Sequence, residues 1–254
     1  MNMKRLFILS FGMKCIIAVF FMGLLGMHYL VSKALFNRTA SLDSVRIELD
    51  RGANANARSK SSFEKLKGLT PLMEAVSWND LNRVKLLLKP QYKANVSLHA
   101  LNEQGDTALI MAVRSPVFGK NEQQKKFEII ELLLQKGASL DAKNNFGDSP
   151  FIVVLDVSEL DVRKKIAQIL INAGADINTQ NRNGDTNMHI AVQRGYSPWI
   201  VWFLTNYGNR LNLNLKNNDG YTIKELALRL KNETVMRAVN AGIASIKASK
   251  KKSQ

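Results

Sequence analysis

Three histidines, one cysteine and a scatter of serines are the residues of this chain whose chemistry could go beyond packing. His28, His99 and His189 are far apart in sequence, and Cys15 sits inside an apolar run. Structural and catalytic metal sites draw on close ligand pairs such as Cys-x-x-Cys or His-Glu-x-x-His, and neither occurs. A phosphate-cradling Walker-type loop is missing as well. The serines lack the Gly-x-Ser-x-Gly turn that presents a hydrolase nucleophile. Acidic residues fall mainly on expected helix surfaces and loop tips, where charge is ordinarily solvated. The sequence therefore predicts no catalytic residue, metal or cofactor. One cysteine also excludes an intramolecular disulfide, which leaves the redox compartment open.

The elements that would position binding residues are legible between Ile171 and Leu204. An apolar helix end runs into Gly174-Ala175-Asp176-Ile177-Asn178, and a polar loop, Thr179 to Asn183, leads to Gly184-Asp185-Thr186. The Thr186 hydroxyl is placed to cap a short helix, Asn187 to Gln193, by accepting from its free amides. Gly195 breaks that helix. Ser197-Pro198 opens the next, where the missing proline N–H costs nothing. Helix, turn, helix and loop form one unit of an array, so further copies are expected.

The copies are present. Gly-x-Thr recurs as Gly68-Leu69-Thr70, Gly105-Asp106-Thr107, Gly147-Asp148-Ser149, Gly184-Asp185-Thr186 and Gly220-Tyr221-Thr222, spaced by 37, 42, 37 and 36 residues. Gly137 and Gly174 stand ten residues before two of these glycines, and Asn95, which also tolerates the left-handed conformation, holds the same offset. The pattern resembles the ankyrin repeat, with its period of about 33 residues and Thr-Pro-Leu-His-x-Ala core. The nearest matches are Thr70-Pro71-Leu72-Met73-Glu74-Ala75 and Thr186-Asn187-Met188-His189-Ile190-Ala191. Ser149-Pro150-Phe151-Ile152-Val153-Val154 has lost both the His and the Ala.

The resemblance covers Ser41 to Asn240. It implies an all-α, ankyrin-type solenoid of helix-turn-helix repeats with hairpin loops over residues 34–242. A degenerate first repeat precedes five units starting near residues 67, 104, 146, 183 and 219. In the first, Leu42 to Ala57 reads as the second half and Val31 to Arg38 as the inner helix. The others pair Thr70–Trp78 with Leu81–Leu88, Thr107–Arg114 with Phe127–Leu134, Pro150–Asp156 with Val162–Ile171, Asn187–Gln193 with Trp199–Thr205, and Ile223–Leu230 with Thr234–Asn240. A polar insertion, Ser115 to Lys126, is expected to project from the third. The last unit shows Lys224 and Arg229 to water, as a capping repeat must. Residues 243–254 read as a basic, disordered tail.

Ankyrin-like domains bind proteins through hairpin tips and the exposed face of the inner helices. Carried over by position, the resemblance implies partner contacts at Glu74, Ser77 and Trp78, at Met111 and Arg114, and at Gln193 and Arg194. The implied tips are Asn102-Glu103-Gln104, Asn144-Asn145-Phe146, Asn181-Arg182-Asn183 and Asn217-Asn218-Asp219. Trp78 and Phe146 are of the type that becomes an interface hot spot. The competing reading packs Trp78 between helices and lays Phe146 over a neighbouring loop. His189 falls in the repeat's own His slot, which the resemblance makes structural.

The N-terminus reads as an anchor or export segment over residues 1–33. Lys4, Arg5 and Lys14 precede the apolar run Cys15 to Val31, 17 residues, the lower limit for a spanning helix of about 17–25 residues. An uncleaved, single-pass anchor is the expectation, with the N-terminus in the cytoplasm and the repeats outside. A cleaved signal peptide is the competing reading, with Ser32-Lys33-Ala34 as its cleavage site and a periplasmic or secreted product. A buried core helix fits poorly, since the run has no polar side. Basic residues flank both ends, so the positive-inside rule leans only slightly on the short N-tail.

The formal net charge is +15, from 36 Lys and Arg against 21 Asp and Glu. The bland reading is a soluble basic surface. The sharper one is a protein partner of acidic character. Lys247, Lys250, Lys251 and Lys252 could draw the tail to anionic lipid at about 1 kcal/mol each. Nothing interleaves aromatic and basic residues as base stacking needs, so nucleic acid is not the expected partner. Two function classes follow: a membrane-tethered protein-interaction module, compatible with a bacterial envelope, or an exported inhibitor or immunity-type protein that blocks an enzyme.

Overall fold

The computed structural model describes residues 35–60, 68–93 and 96–252. The apolar run Cys15 to Val31 and the membrane span expected there lie outside them, as does most of the Ser/Lys-rich spacer before Gly68. Among the described residues no helix is long and apolar enough to cross a membrane.

Helix pairs recur along the chain as the spacing predicts. The first unit contributes its outer helix α1 (Leu42–Asp50). The second has α2 (Pro71–Ser77) and α3 (Leu81–Leu87), followed by a turn of helix, α4 (Pro90–Lys93). The third has α5 (Ala108–Arg114) and α6 (Lys120–Gln135). The fourth has a 3-10 turn (Val153–Asp156) and α7 (Leu160–Asn172). The fifth has α8 (Asn187–Gln193) and α9 (Ser197–Tyr207), and the sixth α10 (Ile223–Arg229) and α11 (Glu233–Lys252). Inner elements stack on inner elements and outer on outer. Between the layers runs one continuous apolar core, in which Leu72, Val84, Leu109, Ile130, Val154, Ile166, Ala191 and Phe203 are buried.

The repeat threonines explain where the inner helices start. Thr70, Thr107, Thr186 and Thr222 each stand in extended backbone and accept from the amide three residues on. A cap of this kind contributes about 1 kcal/mol. Ser149 makes the same bond to Ile152, but the helix expected over Pro150–Asp156 shrinks to the 3-10 turn. Its Ile152-Val153-Val154 run is β-branched, which crowds a helical turn.

Three expectations are corrected. The insertion is not a projecting loop: only residues 115–119 are irregular, and residues 120–126 form the first turns of α6. The tail expected to be disordered from residue 243 continues α11 to Lys252. Val235, Val239 and Ile246 give it a buried stripe at helical spacing, which packs on α9. Residues 35–38, expected to end an inner helix, are turns. Their backbone is held from outside instead. Buried Arg83 donates to the carbonyls of Asn37 at 2.9 Å and Ala40 at 3.0 Å, and the Leu35 amide donates to Glu48.

Candidate protein-binding surface

The hairpin tips are built from one recurring asparagine. Asn102, Asn144 and Asn181 each accept, through Oδ1, from the amides two and four residues on, at 2.7–3.0 Å. Asn217 accepts from the Tyr221 amide. Their side-chain amides then reach back one unit. Asn144 donates to Asp106, Asn181 to Asp148 and Asn217 to Asp185, at 2.9–3.0 Å. Backbone bonds run beside them, from the Asn145 amide to the Gln104 carbonyl, from Arg182 to Phe146 and from Asn218 to Asn183. Consecutive tips are thereby stitched into one ladder. Gly105 and Gly147 turn the chain at φ +76° and +79°, and a Cβ on Gly147 would lie 2.6 Å from the Arg182 nitrogen.

This ladder sorts the expected contact residues. Asn144 and Asn217 are buried, Asn181 is half-buried and committed to a staple, and half-buried Asn102 spends its side-chain oxygen on its own turn, so these four serve the loops themselves. Glu103, Gln104, Asn145, Phe146, Arg182, Asn183, Asn218 and Asp219 are exposed in a row. Phe146 stands 62% exposed rather than covering a neighbouring loop.

The inner face sorts similarly. Glu74 is buried, not presented, because it follows Met73 on the side of α2 that meets the core. Burial pushes its carboxyl up to about 7, against the opposing pull of the Ser59 hydroxyl and the Arg83 charge. Ser77 spends its hydroxyl on the Glu74 carbonyl. Trp78 is half-buried with the Arg83 guanidinium 5.3 Å from its ring, nearer the packing reading than the hot-spot one. Met111 is half-buried against the core.

Arg114 bonds both Asp106 at 2.7 Å and Asp156 at 3.2 Å, while Arg194 bonds Asp156 at 2.9 Å and Gln193 bonds Asp185 at 3.2 Å. Asp156, Tyr221 and Arg229 belong to this face and were not among the expected residues. Their signal was a second spacing. Asp106 pairs with Arg114, Asp185 with Gln193 and Tyr221 with Arg229, each eight residues on. In the fourth unit the residue eight after Asp148 is Asp156, a like charge, so it takes arginines from both neighbours instead.

Between the fourth and fifth tips lies a groove of about 450 Å³, with Phe146, Arg182 and Asn183 at its rim and Ile190, Gln193 and Arg194 along its floor and wall. His189 lies beneath, buried. Its Nδ1 accepts from the Thr186 amide and its Nε2 faces the Tyr221 carbonyl at 2.9 Å, which joins fifth and sixth units. Burial lowers its pKa. The implied structural role agrees with this geometry.

An all-α stack of capped helix pairs with stapled hairpins defines a repeat solenoid. The family comparison gives it a name: residues 30–144 match ankyrin repeats in three copies and residues 170–227 match ankyrin repeats in many copies. The chain is an ankyrin repeat protein. Over 106 residues it is 37% identical to "Ankyrin repeat and KH domain-containing protein mask" of Drosophila melanogaster and 33% identical to "Ankyrin repeat and KH domain-containing protein 1" of Homo sapiens. That stretch is 42% of this chain but only 2% and 4% of those relatives. Among solved structures it is similar to the ankyrin repeat domain of Bcl-3, described as a unique member of the IkappaB protein family. The TM-score is 0.60 and the identity 26%, over 78% of this chain and 76% of that one.

Proposed function

We propose that this protein is a membrane-tethered ankyrin module that captures a protein partner on its tips and inner face and catalyses no reaction. The observation that carries the binding surface is the division of labour at the tips. Asn144, Asn181 and Asn217 are consumed by the ladder, and Asn145 and Asn218 also donate back to the preceding tip, while Glu103, Gln104, Phe146, Arg182, Asn183 and Asp219 stand outward in a row that the ladder holds in place beside the Phe146 groove. A preorganised surface binds with less ordering cost than a mobile one. Support for the tether comes from the length and composition of Cys15 to Val31. The excess of lysine and arginine favours an acidic partner, through steering of the encounter. A photo-crosslinking residue placed at Phe146 in the full chain, in cells, should trap a discrete partner. The same residue at Gln168, exposed on outer helix α7, should not. Equal trapping from both positions would sink the tip surface as the binding site.

A further inference from the structure

The turns that join inner to outer helices form a second edge, opposite the tips, and it is continuous. Arg83 at the start of α3 holds residues 37–40 of the first unit. Arg38, Trp78, Glu122 and Lys125 line one hollow between the first three units. Asn79 donates to the Glu122 carbonyl, and Gln123 to Glu159 of the fourth unit. Arg163 donates to the Val157 carbonyl and covers the Tyr196 ring of the fifth at 4.3 Å. Gly195 abuts Asn232 of the sixth.

Large apolar groups stand along this edge. Leu42, Phe118 and Leu230 are 41%, 81% and 43% exposed, and Trp78 and Tyr196 are half-buried between them. The fourth turn alone presents no such group, and there the Phe118 loop leans over Val157 and Val162. Phe118 stands outward on the short irregular stretch 115–119. Leu101, Phe146 and Leu228 are as exposed elsewhere, so what marks this surface is the recurrence of an apolar group at five of six turns along one edge, beside Asn37.

We propose that this edge rests on the phospholipid headgroup layer of the bilayer that holds Cys15 to Val31, leaving the tips facing away. The inference rests on the tether reading above. What selects a membrane over another occupant is the chain outside the described residues and where it ends. Five residues separate Val31 from Asn37, six Cα-to-Cα steps and a reach of about 20 Å when fully extended. Asn37 is on this edge, and buried Arg83, together with the Leu35–Glu48 bond, removes slack from the junction. The tips lie an inner helix and a hairpin further off. Arg83 and Arg163 lie against the Trp78 and Tyr196 rings, so the exposed Leu42, Phe118 and Leu230 are the groups that would enter the headgroup layer. The edge carries Arg38, Lys120 and Lys231 but also Glu159 and Glu233, all exposed, so apolar insertion and not net charge makes the contact.

The test is depth, read on the full chain in nanodiscs of phosphatidylethanolamine and phosphatidylglycerol. In a Cys15→Ser background, a fluorophore is attached to cysteine replacing Phe118, Leu230 or, as a tip control, Arg182. All three sites are exposed, so labelling leaves the core intact. Nitroxide lipids should quench the labels at 118 and 230 several-fold more than the label at 182. A chain retained in the discs with three equal quenching values overturns the edge contact and spares the tether. A chain that leaves the discs overturns the tether, and the edge contact with it.

Discussion

The two ends of the solenoid hold their neighbouring units together by different means. At the first and second units the contact is built on charge. Arg83, Glu48 and Glu74 are all buried there, and Arg83 donates to the carbonyls of Asn37, Arg38 and Ala40. At the far end the fifth unit is built around an aromatic cluster, and its contact with the sixth is close-packed. Trp199 stacks on Phe203 at 5.4 Å, and Phe203 meets Phe151 of the fourth unit at 5.7 Å. Helices α9 and α11 approach so closely that a Cβ on Gly242 would meet Leu204 at 2.4 Å. Apolar contact stabilises in proportion to area and tolerates small shifts. A buried charge stabilises only when its partners are in place, which fixes one arrangement at some cost in net stability.

Removing Trp199 should break the apolar end most severely. The indole is fully buried, and its N–H donates to Asn187, which in turn donates to the Phe151 carbonyl. Trp199→Ala leaves a cavity and an unmet amide, a loss of about 3–5 kcal/mol. Because repeats couple mainly to their neighbours, the fifth and sixth units should melt before the rest. Urea unfolding followed by hydrogen exchange would show amides of α9 and α11 exchanging ahead of those of α2 and α3. A single concerted loss of all amides would mean that the two ends are coupled more tightly than their separate chemistries imply.

At the charged end the sharper probe is pH. The Glu74 carboxyl is raised from 4.5 to about 7 in the folded chain, chiefly by burial. Its contribution is fully present below the unfolded value near 4.5 and is lost as pH rises through about 7. At 1.36 kcal/mol per unit the loss is about 3 kcal/mol. Glu74→Gln keeps the shape without the ionisation. The variant should gain on the wild type as pH rises from 4.5 to 7 and hold a constant advantage above. Denaturant midpoints across that range would show it, and parallel curves for the two proteins would place the charge elsewhere.

Local chemistry made the repeats legible. Thr70, Thr107, Thr186 and Thr222 cap the helices they were expected to cap, because a cap depends on a few adjacent residues. The binding face was less legible, since exposure depends on what the next unit places opposite. Asn144 and Asn145 are neighbours in one tip, yet one is buried by its bond to Asp106 and the other is exposed. Glu74 looked like a surface carboxylate until α2 was seen to be buried on nearly every side. The helical tail from 243 is hidden in the sequence because its lysines dominate its composition, while Val239, Gly242 and Ile246 decide its packing. Asp156 is hard to read from its own unit because its partners, Arg114 and Arg194, lie one unit away on either side.

The ladder that joins the two ends can be weighed with a pair of glycines. Gly147 and Gly174 both adopt positive φ, +79° and +99°. Alanine at either one costs about 1–2 kcal/mol for the left-handed backbone alone. Nothing lies within 4 Å of a Cβ at Gly174, whereas at Gly147 it would strike the Arg182 backbone and force apart the bond from the Arg182 amide to the Phe146 carbonyl. Gly147→Ala should therefore exceed Gly174→Ala by about 1 kcal/mol, the scale of one displaced hydrogen bond. It should also weaken crosslinking from position 146, because Phe146 and Arg182 rim the same groove. Equal stability losses, with crosslinking retained, would show that the tips keep their spacing from the helices beneath. The ladder would then be a consequence of the stacking rather than a contributor to it.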